Sequence, residues 1–298
     1  MVQGVGWEHY RSLLAVLEQG SLSGAARMLG ITQPTVGRHV TALEAAFGQA
    51  LFTRSQTGLQ PTELAQSLQV HAQAMQRTAA ALERAASGGA RTTAGTVRIT
   101  ASEVVAVEVL PPILARLQRS HPGLSIELVA SNQVQDLLHR EADIAVRMTA
   151  PQQDQLVAQR VGRIELGLHG RADYLRRHGM PGTLADLAAH VLIGHDTETP
   201  FVRQALRQLP SWRRADLGWR CDSDLAQLAL IRAGAGLGIC QCVLAQRDAR
   251  LQRVLADDVA LHLDTWVTMH ADLRGNARCR VAFDALVQGL QALLAEPG

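Results

Sequence analysis

Apolar residues in the first 60 positions recur in short stretches at helical spacing, and each stretch ends at a glycine. The first stretch has an apolar face at intervals of three and four residues, at Trp7, Tyr10, Leu14 and Leu17, and Gly20 follows it. A glycine directly after such a face is typical of a helix C-terminus. The pattern therefore predicts a helix that ends near Gly20.

Two further helices are predicted before residue 49. Ser21 or Ser23 can cap the second helix, which ends at Gly30. Thr32 can cap the third helix, which tolerates Pro34 in its first turn. The third helix carries an apolar face at Val36, Val40, Leu43 and Phe47. Because a tight Gly-Ile-Thr turn joins them, these helices predict a helix-turn-helix, whose second helix enters the major groove of DNA.

Hydrogen-bonding and cationic side chains occupy the start of the third helix. Gln33, Thr35, Arg38 and His39 lie among its apolar positions and could reach DNA, and a wing-like segment follows at 51–60. The candidate DNA-contacting residues are Ser21, Ser23, Thr32, Gln33, Pro34, Thr35, Arg38, His39, Arg54 and Thr57. An ordinary three-helix unit with a solvated polar face is the alternative interpretation.

A long helix is predicted to begin at Pro61 and Thr62. Its stripe averages close to 3.6 residues per repeat and consists of Leu64, Leu68, His71, Met75, Ala79, Leu82 and Ala86. Such a stripe needs a cover, and a helix from a second subunit is the natural one, with packing against its own domain as the alternative. Residues 87–95, SGGARTTAG, predict a flexible linker.

From Thr96 onward, short buried strands alternate with helices. The predicted strands span 96–102, 124–131, 143–148, 191–195, 217–221 and 237–240, and helices at 103–119, 133–140 and 223–233 separate some of them. This order predicts an α/β region built from βαβ units and parallel sheets. Ligands bind beyond the carboxyl ends of such strands, near helix N-termini that favour anions.

A small-molecule effector is therefore expected at the strand ends of this region. The candidate effector-binding residues are Ser102, Ser131, Asn132, Arg147, His195 and Asp222. Free backbone donors after Ser102 and Ser131, together with the guanidinium of Arg147, suit a carboxylate. The alternative is that Arg147 pairs with a local acid and that the ligand is neutral.

Composition places the chain among globular proteins. Hydrophobic residues make up 47% of its 298 residues and charged residues 19%, so an ordinary core can form. The net charge is +2, and residues 1–95, with seven Arg and five Glu, hold the whole excess, which weakly favours an anionic partner there. All 29 basic residues are Arg, a residue that suits phosphate contacts but that codon bias also explains.

Several classes of protein are not expected. The N-terminus lacks the basic-then-apolar order of a signal peptide, and no apolar run is long enough to span a membrane, so we expect a cytoplasmic protein without membrane contact. The four cysteines and 11 histidines show no metal-binding spacing, and no metal or cofactor is expected. No GxSxG signature occurs, so we expect no enzyme. A redox role for Cys240 or Cys242 stays open.

The order of these motifs resembles the LysR-type transcriptional regulators over essentially the whole chain. The residues that carry the resemblance are LSGAARMLGITQPTVGRHVTALEAAFG at 22–48, LFTRSQTGLQPT at 51–62, TAS at 100–102, DIAVR at 143–147 and AGAGLGI at 233–239. Gly37, Thr57, Pro61 and Cys242 depart from the usual family pattern at their positions. The preferred DNA site and the local shape of the effector site are therefore expected to differ from those of other members.

The resemblance implies three parts. A winged helix-turn-helix domain would span 1–61, a dimerising linker helix and hinge 62–95, and a two-lobed effector domain similar to a periplasmic binding protein 96–298. Lobe one would comprise 96–161 and 269–298, and lobe two 162–268, so that the C-terminal helix at 276–294 packs on lobe one.

The expected function is a transcriptional regulator that binds double-stranded DNA and a small-molecule effector and forms a homodimer or homotetramer. A two-lobed solute-binding protein without DNA binding is the alternative function.

Overall fold

In the computed structural model, the chain folds into two compact units. The structure describes residues 4–55, 58–86, 92–132, 142–151, 153, 155–199, 202–203, 205 and 212–295. One unit contains the described residues up to Ala86, and the other contains those from Thr92 onward. Thr57, the helix predicted at 133–140 and residues 87–91 of the predicted linker lie outside the described residues.

The first unit contains four helices and a two-stranded wing. The helices are α1 (Trp7–Gln19), α2 (Leu22–Leu29), α3 (Gln33–Phe47) and α4 (Glu63–Ala86). The wing consists of β1 (Phe52–Ser55) and β2 (Gly58–Pro61), which pair antiparallel. The predicted helices are confirmed, with Gly20, Gly30 and Gly48 as left-handed C-caps. Pro61 belongs to the wing, and Thr62 caps α4 by accepting a hydrogen bond from the Ala65 amide.

Two apolar clusters hold this unit together. In one, Val36 and Val40 of α3 pack against Val16 of α1 and Ala25 of α2, and small side chains on α2 allow the close approach. In the other, Leu43 packs with Leu13 and Leu51. Each such aliphatic side chain contributes about 1.5–3 kcal/mol when fully buried. The side of α3 that faces the core is therefore set by its apolar residues.

The wing contacts the turn between α1 and α2 through its backbone. The amide of Leu59 donates a hydrogen bond of 3.0 Å to the carbonyl oxygen of Gly20. Gly58 has a φ of 123°, and a Cβ atom at this position would lie 2.8 Å from the same oxygen. Glycine is therefore required here, because any side chain would push the wing off the helical core.

Helix α4 is only partly covered within its own unit. Leu64, Ala65 and Leu68 pack with the second cluster, whereas Met75 is 42% exposed and Leu82 is 73% exposed. Packing against its own domain, the alternative considered above, thus explains the start of the stripe but not its later positions.

The second unit is built on one mixed nine-stranded sheet. Its strands are β3 (Gly95–Ala101), β4 (Leu124–Ala130), β5 (Ile144–Arg147), β6 (Leu156–Arg171), β7 (Leu192–Gly194), β8 (Trp219–Arg220), β9 (Leu237–Gln241), β10 (Leu251–Val254) and β11 (Leu261–His270). Their order is β4-β3-β5-β11-β6-β9-β7-β8, with β10 paired to β6. Two parallel groups, β4-β3-β5 and β9-β7-β8, flank the antiparallel pair β11-β6.

Helices of the second unit cover this sheet. They are α5 (Leu110–Ser120), preceded by a π-helical turn at Val105–Val109, and then α6 (Ala172–His178), α7 (Asp224–Ala233), α8 (Cys242–Ala245) and α9 (Ala277–Ala295). In α9, Leu286 and Leu290 are fully buried in the main core, as the apolar face of this helix predicts. Short 3-10 turns lie at Leu184–Ala189, Arg214–Asp216 and Ala271–Gly275.

The predicted parallel pairings are present in both groups, but the sheet as a whole is mixed. The long strands β6 and β11 were not predicted, and they join the two parallel groups into a single sheet by running antiparallel to their neighbours. Each of these strands has a buried part and an exposed part, and its sequence mixes apolar and polar residues accordingly. A strand with such uneven burial shows neither an alternating nor a continuous apolar pattern.

Candidate functional site

The start of α3 presents a polar surface to solvent. Gln33, Pro34 and Arg38 are exposed, Thr35 is half-buried, and Val36 of the same two turns is fully buried. At about 100° per residue, Arg38 lies about 200° around the helix from Val36, so it projects away from the core. The arrangement leaves hydrogen-bonding groups and one guanidinium free to contact an external partner.

Local bonds order this surface. The hydroxyl groups of Thr32 and Thr35 are 2.8 Å apart, and Arg38 donates to the Thr35 hydroxyl at 3.4 Å. Thr32 is the N-cap of α3, as predicted, and its backbone carbonyl accepts hydrogen bonds from the amides of Thr35 and Val36. Its hydroxyl is therefore directed to the exposed surface of the helix.

The other candidate DNA-contacting residues lie in different settings. Ser21 caps α2, where its hydroxyl accepts the Gly24 amide at 3.1 Å, which settles the choice between the two serines, and Ser23 is exposed. Arg54 is exposed on β1 of the wing.

His39 is placed differently from the other residues of α3. It lies about 60° from Val36 around the helix, on the flank of the apolar face. Its Nδ1 is 2.7 Å from the hydroxyl of Ser12 in α1, and its ring lies 4.7 Å from the ring of His9. His39 thus contacts α1 through Nδ1 and is half-buried, and its place among the DNA contacts stays a prediction. The helical angle was the available signal, and Ser12, buried in α1, was missed.

In the second unit, the predicted effector residues lie at strand ends. Ser102 follows β3, Ser131 and Asn132 follow β4, and Arg147 ends β5. The amide of Ser131 donates to the Ala101 carbonyl at 2.9 Å, and the Ser102 hydroxyl lies 3.7 Å from the sulfur of Met148. The parallel register of β3 with β4 and β5 thus brings these residues to one edge of the sheet.

A polar network links this edge to the N-terminus of α7. Asn132 accepts the Glu103 amide at 3.0 Å and donates to the carboxylate of Asp224 at 3.4 Å. The other oxygen of Asp224 is 3.0 Å from Nε2 of His195. The Ser223 hydroxyl donates to the carboxylate of Glu103 at 3.3 Å.

Asn132 and His195 are therefore brought together through Asp224. Asp224 and Glu103 were both missed, since an acid in the first turn of a helix has an ordinary role at the helix dipole.

Arg147 is partly buried beside β3. Its guanidinium donates to the Thr100 hydroxyl at 2.8 Å and to the Val146 carbonyl at 3.1 Å. Burial lowers the pKa of Arg147 to about 10, so the side chain is still cationic at neutral pH. A buried cation at the end of a strand is suited to hold an anionic group.

Asp222 has a structural role that the sequence did not predict. Its carboxylate accepts hydrogen bonds from the amides of Asp196 and Thr197 and from the Thr197 hydroxyl, at 2.7–2.9 Å. The bonds from Thr197 and Asp196 lower the pKa of this carboxyl group. Both oxygens of Asp222 thus hold the segment after β7, and its place among the effector contacts stays a prediction.

The cysteines of β9 and α8 lie in the interior. Burial raises the pKa of the Cys240 thiol to about 12, and it also raises the pKa of Cys242. Cys240 contacts Nδ1 of the buried His169 at 3.4 Å. Protonated, buried thiols react slowly with oxidants, so the geometry does not favour a redox role for either residue.

Among the residues that the structure describes, no three His, Cys, Asp or Glu side chains are grouped so as to hold a metal ion. Within the same residues, no helix combines the length and the apolar character that a membrane span requires.

The chain matches two protein-family models that together cover most of its length. Residues 7–66 match the model of bacterial regulatory helix-turn-helix proteins of the lysR family. Residues 90–291 match the LysR substrate binding domain. The first match covers the unit that carries the exposed face of α3, and the second covers the sheet and its polar edge.

Similar curated proteins are transcription regulators. The chain is 29% identical over 175 residues to the HTH-type transcriptional activator AaeR of Escherichia coli, which is 59% of this chain and 57% of AaeR. It is 29% identical over 164 residues to the Mau operon transcriptional activator of Paracoccus denitrificans, which is 55% of this chain and 58% of the activator. The chain therefore spans little more than half the length of these relatives.

Solved structures share the fold over nearly the whole chain. CrgA, a LysR-type transcriptional regulator from Neisseria meningitidis, superposes with a TM-score of 0.60 at 24% identity, covering 95% of this chain and 98% of CrgA. Full-length CbnR in complex with its target DNA superposes with a TM-score of 0.67 at 19% identity, covering 97% of this chain and 100% of CbnR. At these identities the likeness establishes the architecture: an N-terminal helix-turn-helix unit followed by an α/β unit.

Proposed function

Because the chain belongs to the family of LysR-type transcription regulators, we propose that it binds specific DNA sequences through α3 and regulates transcription in response to a small molecule. The observation that carries the proposal is the split of α3 into two faces. Val36 and Leu43 are fully buried, while Gln33 and Arg38 are exposed at its first two turns. A side chain in this position can reach base edges in the major groove.

Membership of this family favours a regulatory function for this protein over a catalytic one, because members of the family are transcription regulators and not enzymes. The match of residues 7–66 to a regulatory helix-turn-helix model also disfavours the solute-binding alternative, which needs no such module. CbnR, which shares the fold, has been solved with its target DNA. We carry that property over to this chain as part of the proposal.

A mobility-shift titration tests DNA binding. The probe is a duplex that the full-length protein selects from a random-sequence library. Arg38→Ala and Gln33→Ala should each weaken binding by about 1–3 kcal/mol if the side chain contacts a base. Arg176→Ala, which removes an exposed arginine from the second unit, is the matched control and should bind like wild type. If both α3 variants bind the duplex with wild-type affinity, α3 does not contact DNA through these residues and the proposal is refuted.

For the effector, we propose a small molecule that binds at the edge formed by Ser102, Ser131 and Asn132. Arg147 favours a carboxylate on this molecule, whereas the carboxylates of Glu103 and Asp224 favour a cationic group. The effector would replace bonds of the network that now links Asn132 to Asp224.

Calorimetric titration with matched sets of ligands tests the effector site. Each set contains an amino acid, its deaminated acid and its decarboxylated amine. Binding of the acid that is weakened by Arg147→Gln, but not by Arg163→Gln, supports the carboxylate. Binding of the amine that is weakened by Asp224→Asn supports the cationic group. Equal binding to wild type and to both site variants would place the effector elsewhere.

The assembly and the location of the protein are further parts of the proposal. Met75 and Leu82 leave apolar surface uncovered on α4, which supports a homodimer through this helix, with a homotetramer built from two such dimers. A DNA-binding regulator acts in the cytoplasm of a bacterium, and we propose that location. The divisions at residues 61 and 95, and that of the second unit into two lobes at 161 and 268, remain predictions.

A further inference from the structure

One hydroxyl group on the buried side of α1 is bonded to the DNA-facing helix. Ser12 is only 1% exposed and lies beside the core residues Leu13 and Val16. Its Oγ is 2.7 Å from Nδ1 of His39 on α3. A buried hydroxyl without a partner costs about 1–3 kcal/mol. A serine at this position is therefore compatible with the core because His39 satisfies it.

His9 extends this contact to the beginning of α1. Its ring lies 4.7 Å from the ring of His39 with a tilt of 42°. Its Nδ1 accepts the backbone amide of Gly6 at 3.1 Å, so His9 also caps the helix. We call Ser12, His9 and His39 the histidine clamp. The clamp ties two places on α1 to one turn of α3.

The clamp acts on the turn that carries the proposed DNA contacts. His39 directly follows Arg38, and Gln33 lies less than two turns before it. The apolar face of α3 holds the helix against the core, and the Ser12–His39 hydrogen bond adds a directional contact that the non-directional hydrophobic effect does not provide. At a side-chain radius of about 5–6 Å, a rotation of about 20° moves a side-chain tip by about 2 Å. Such a shift exceeds the tolerance of a hydrogen bond to a base edge.

We propose that Ser12 and His39 are positioning residues for DNA recognition, because their hydrogen bond fixes the rotation of α3 and thereby the direction of Arg38 and Gln33. This inference rests on the proposed function of α3. It assigns His39 no contact with DNA. The expected consequence of breaking the bond is a loss of sequence discrimination more than a loss of general affinity for DNA.

The clamp also couples recognition to pH. Burial lowers the pKa of His39, the neighbouring His9 and Arg38 lower it further, and Glu8, which pairs with Arg11, opposes them. Neutral His39 can accept a hydrogen bond from the Ser12 hydroxyl at Nδ1, whereas protonated His39 carries a hydrogen on Nδ1 and can only donate there. Because the pKa is lowered in the folded state, the stabilisation is complete above the ordinary histidine value of about 6.5 and is lost as the pH falls below it. Protonation would also place a charge beside His9.

Four variants of the full-length protein test the clamp. Ser12→Ala and His39→Leu each remove the Ser12–His39 hydrogen bond. The double variant removes the same single bond, so its effect should not exceed that of either single variant. His39→Gln retains an uncharged acceptor for the Ser12 hydroxyl. Ser67→Ala is the control, since it deletes an exposed hydroxyl of the same unit that donates to the Leu64 carbonyl of its own helix. Thermal unfolding followed by circular dichroism reports whether each variant is folded.

The readout is the ratio of affinities for the selected duplex and for a scrambled duplex of the same composition. Ser12→Ala and His39→Leu should each lower this ratio at least fivefold, and the double variant should lower it no further. Affinity for the scrambled duplex should stay within twofold in all of them. His39→Gln should restore the ratio to near the wild-type value. The Ser67→Ala control should match wild type.

A pH series adds a second readout that does not depend on the folding of Ser12→Ala. As the pH is lowered from 7.5 through and below the ordinary histidine value of about 6.5, the ratio should fall for wild type and stay within twofold for His39→Gln. A wild-type ratio in Ser12→Ala, additive losses in the double variant, or equal pH profiles for wild type and His39→Gln would overturn the inference. Failure of the wild-type protein to select any duplex would instead overturn the proposed function, and this inference with it.

Discussion

A bidentate ion pair joins α7 to the π-helical turn before α5, and its removal has a predictable cost. Arg232 on α7 donates to both carboxylate oxygens of Glu108, in the π-helical turn before α5, at 2.7 and 2.9 Å. The side chains are only 32% and 24% exposed. The hydrogen bonds and the charge of Arg232 lower the pKa of Glu108, although burial opposes this.

The expected coupling lies between two known limits. Exposed ion pairs contribute about 0.2–1 kcal/mol, and hydrogen bonds to charged groups that are shielded from water contribute about 1.5–3 kcal/mol. A half-buried bidentate pair should therefore give a coupling of about 1–2 kcal/mol. The backbone carbonyl of Glu108 also accepts a bond from Arg247 at 3.1 Å, which substitution of the side chain leaves in place.

A double-mutant cycle measures this coupling. The free energy of unfolding is determined in urea for wild type, Glu108→Gln, Arg232→Gln and the double variant. The matched control cycle uses the ion pair between Arg98 of β3 and Glu127 of β4. This pair has one hydrogen bond and is more exposed, so it should give a smaller coupling. A coupling below about 0.3 kcal/mol for Glu108 and Arg232 would refute the reasoning.

The pH dependence has a definite sign. Because the pKa of Glu108 is lowered in the folded state, the stabilisation is fully present above the ordinary carboxyl value of 4.5 and is lost as the pH falls through the lowered pKa. The coupling should therefore be constant near neutral pH and shrink in acid.

Three further predictions concern other parts of the chain. Gly37→Ala should stabilise the first unit by about 1 kcal/mol in thermal unfolding, because the added Cβ would meet only Leu22 at 3.8 Å; no gain would show that the site is strained. Met75→Glu with Leu82→Glu should give monomers in analytical ultracentrifugation, whereas Gln76→Glu on the same helix should not; unchanged sedimentation would place dimerisation elsewhere. Cys240 should resist a thiol reagent at pH 8 in the native protein, because burial raises the pKa of its thiol to about 12; rapid labelling by mass spectrometry would contradict this.

The first unit was largely predictable because its elements are local. Apolar spacings and glycine stops place α1, α2 and α3 within a residue or two of their observed bounds. The rotation of His39 toward α1 needed the tertiary contact with Ser12, which lies 27 residues away in the sequence. A polar residue on a flank of an apolar face can be buried or exposed, and only the neighbouring helix decides which.

The second unit was predictable only in its parallel parts. Strands β3, β5 and β9 are short, buried and apolar, whereas β6 and β11 pass from covered to exposed positions along their length. The partners of Asp224 and Asp222 were not predictable either. Each carboxylate bonds to groups at least 25 residues away that the fold brings to it.

In the first unit, the apolar stripe of α4 was predicted to be covered by a second subunit. Leu68, a member of that stripe, packs instead against the core of its own unit.

The central claim is that α3 directs this protein to specific DNA sites, and mapping of bound DNA across the genome of its host tests this claim most directly. Immunoprecipitation of the wild-type protein should recover a small number of discrete sites that share one motif with approximate two-fold symmetry. The Arg38→Ala variant, expressed at the same level, should lose these sites. Recovery of no discrete sites by wild type, or of the same sites by the variant, would contradict the account.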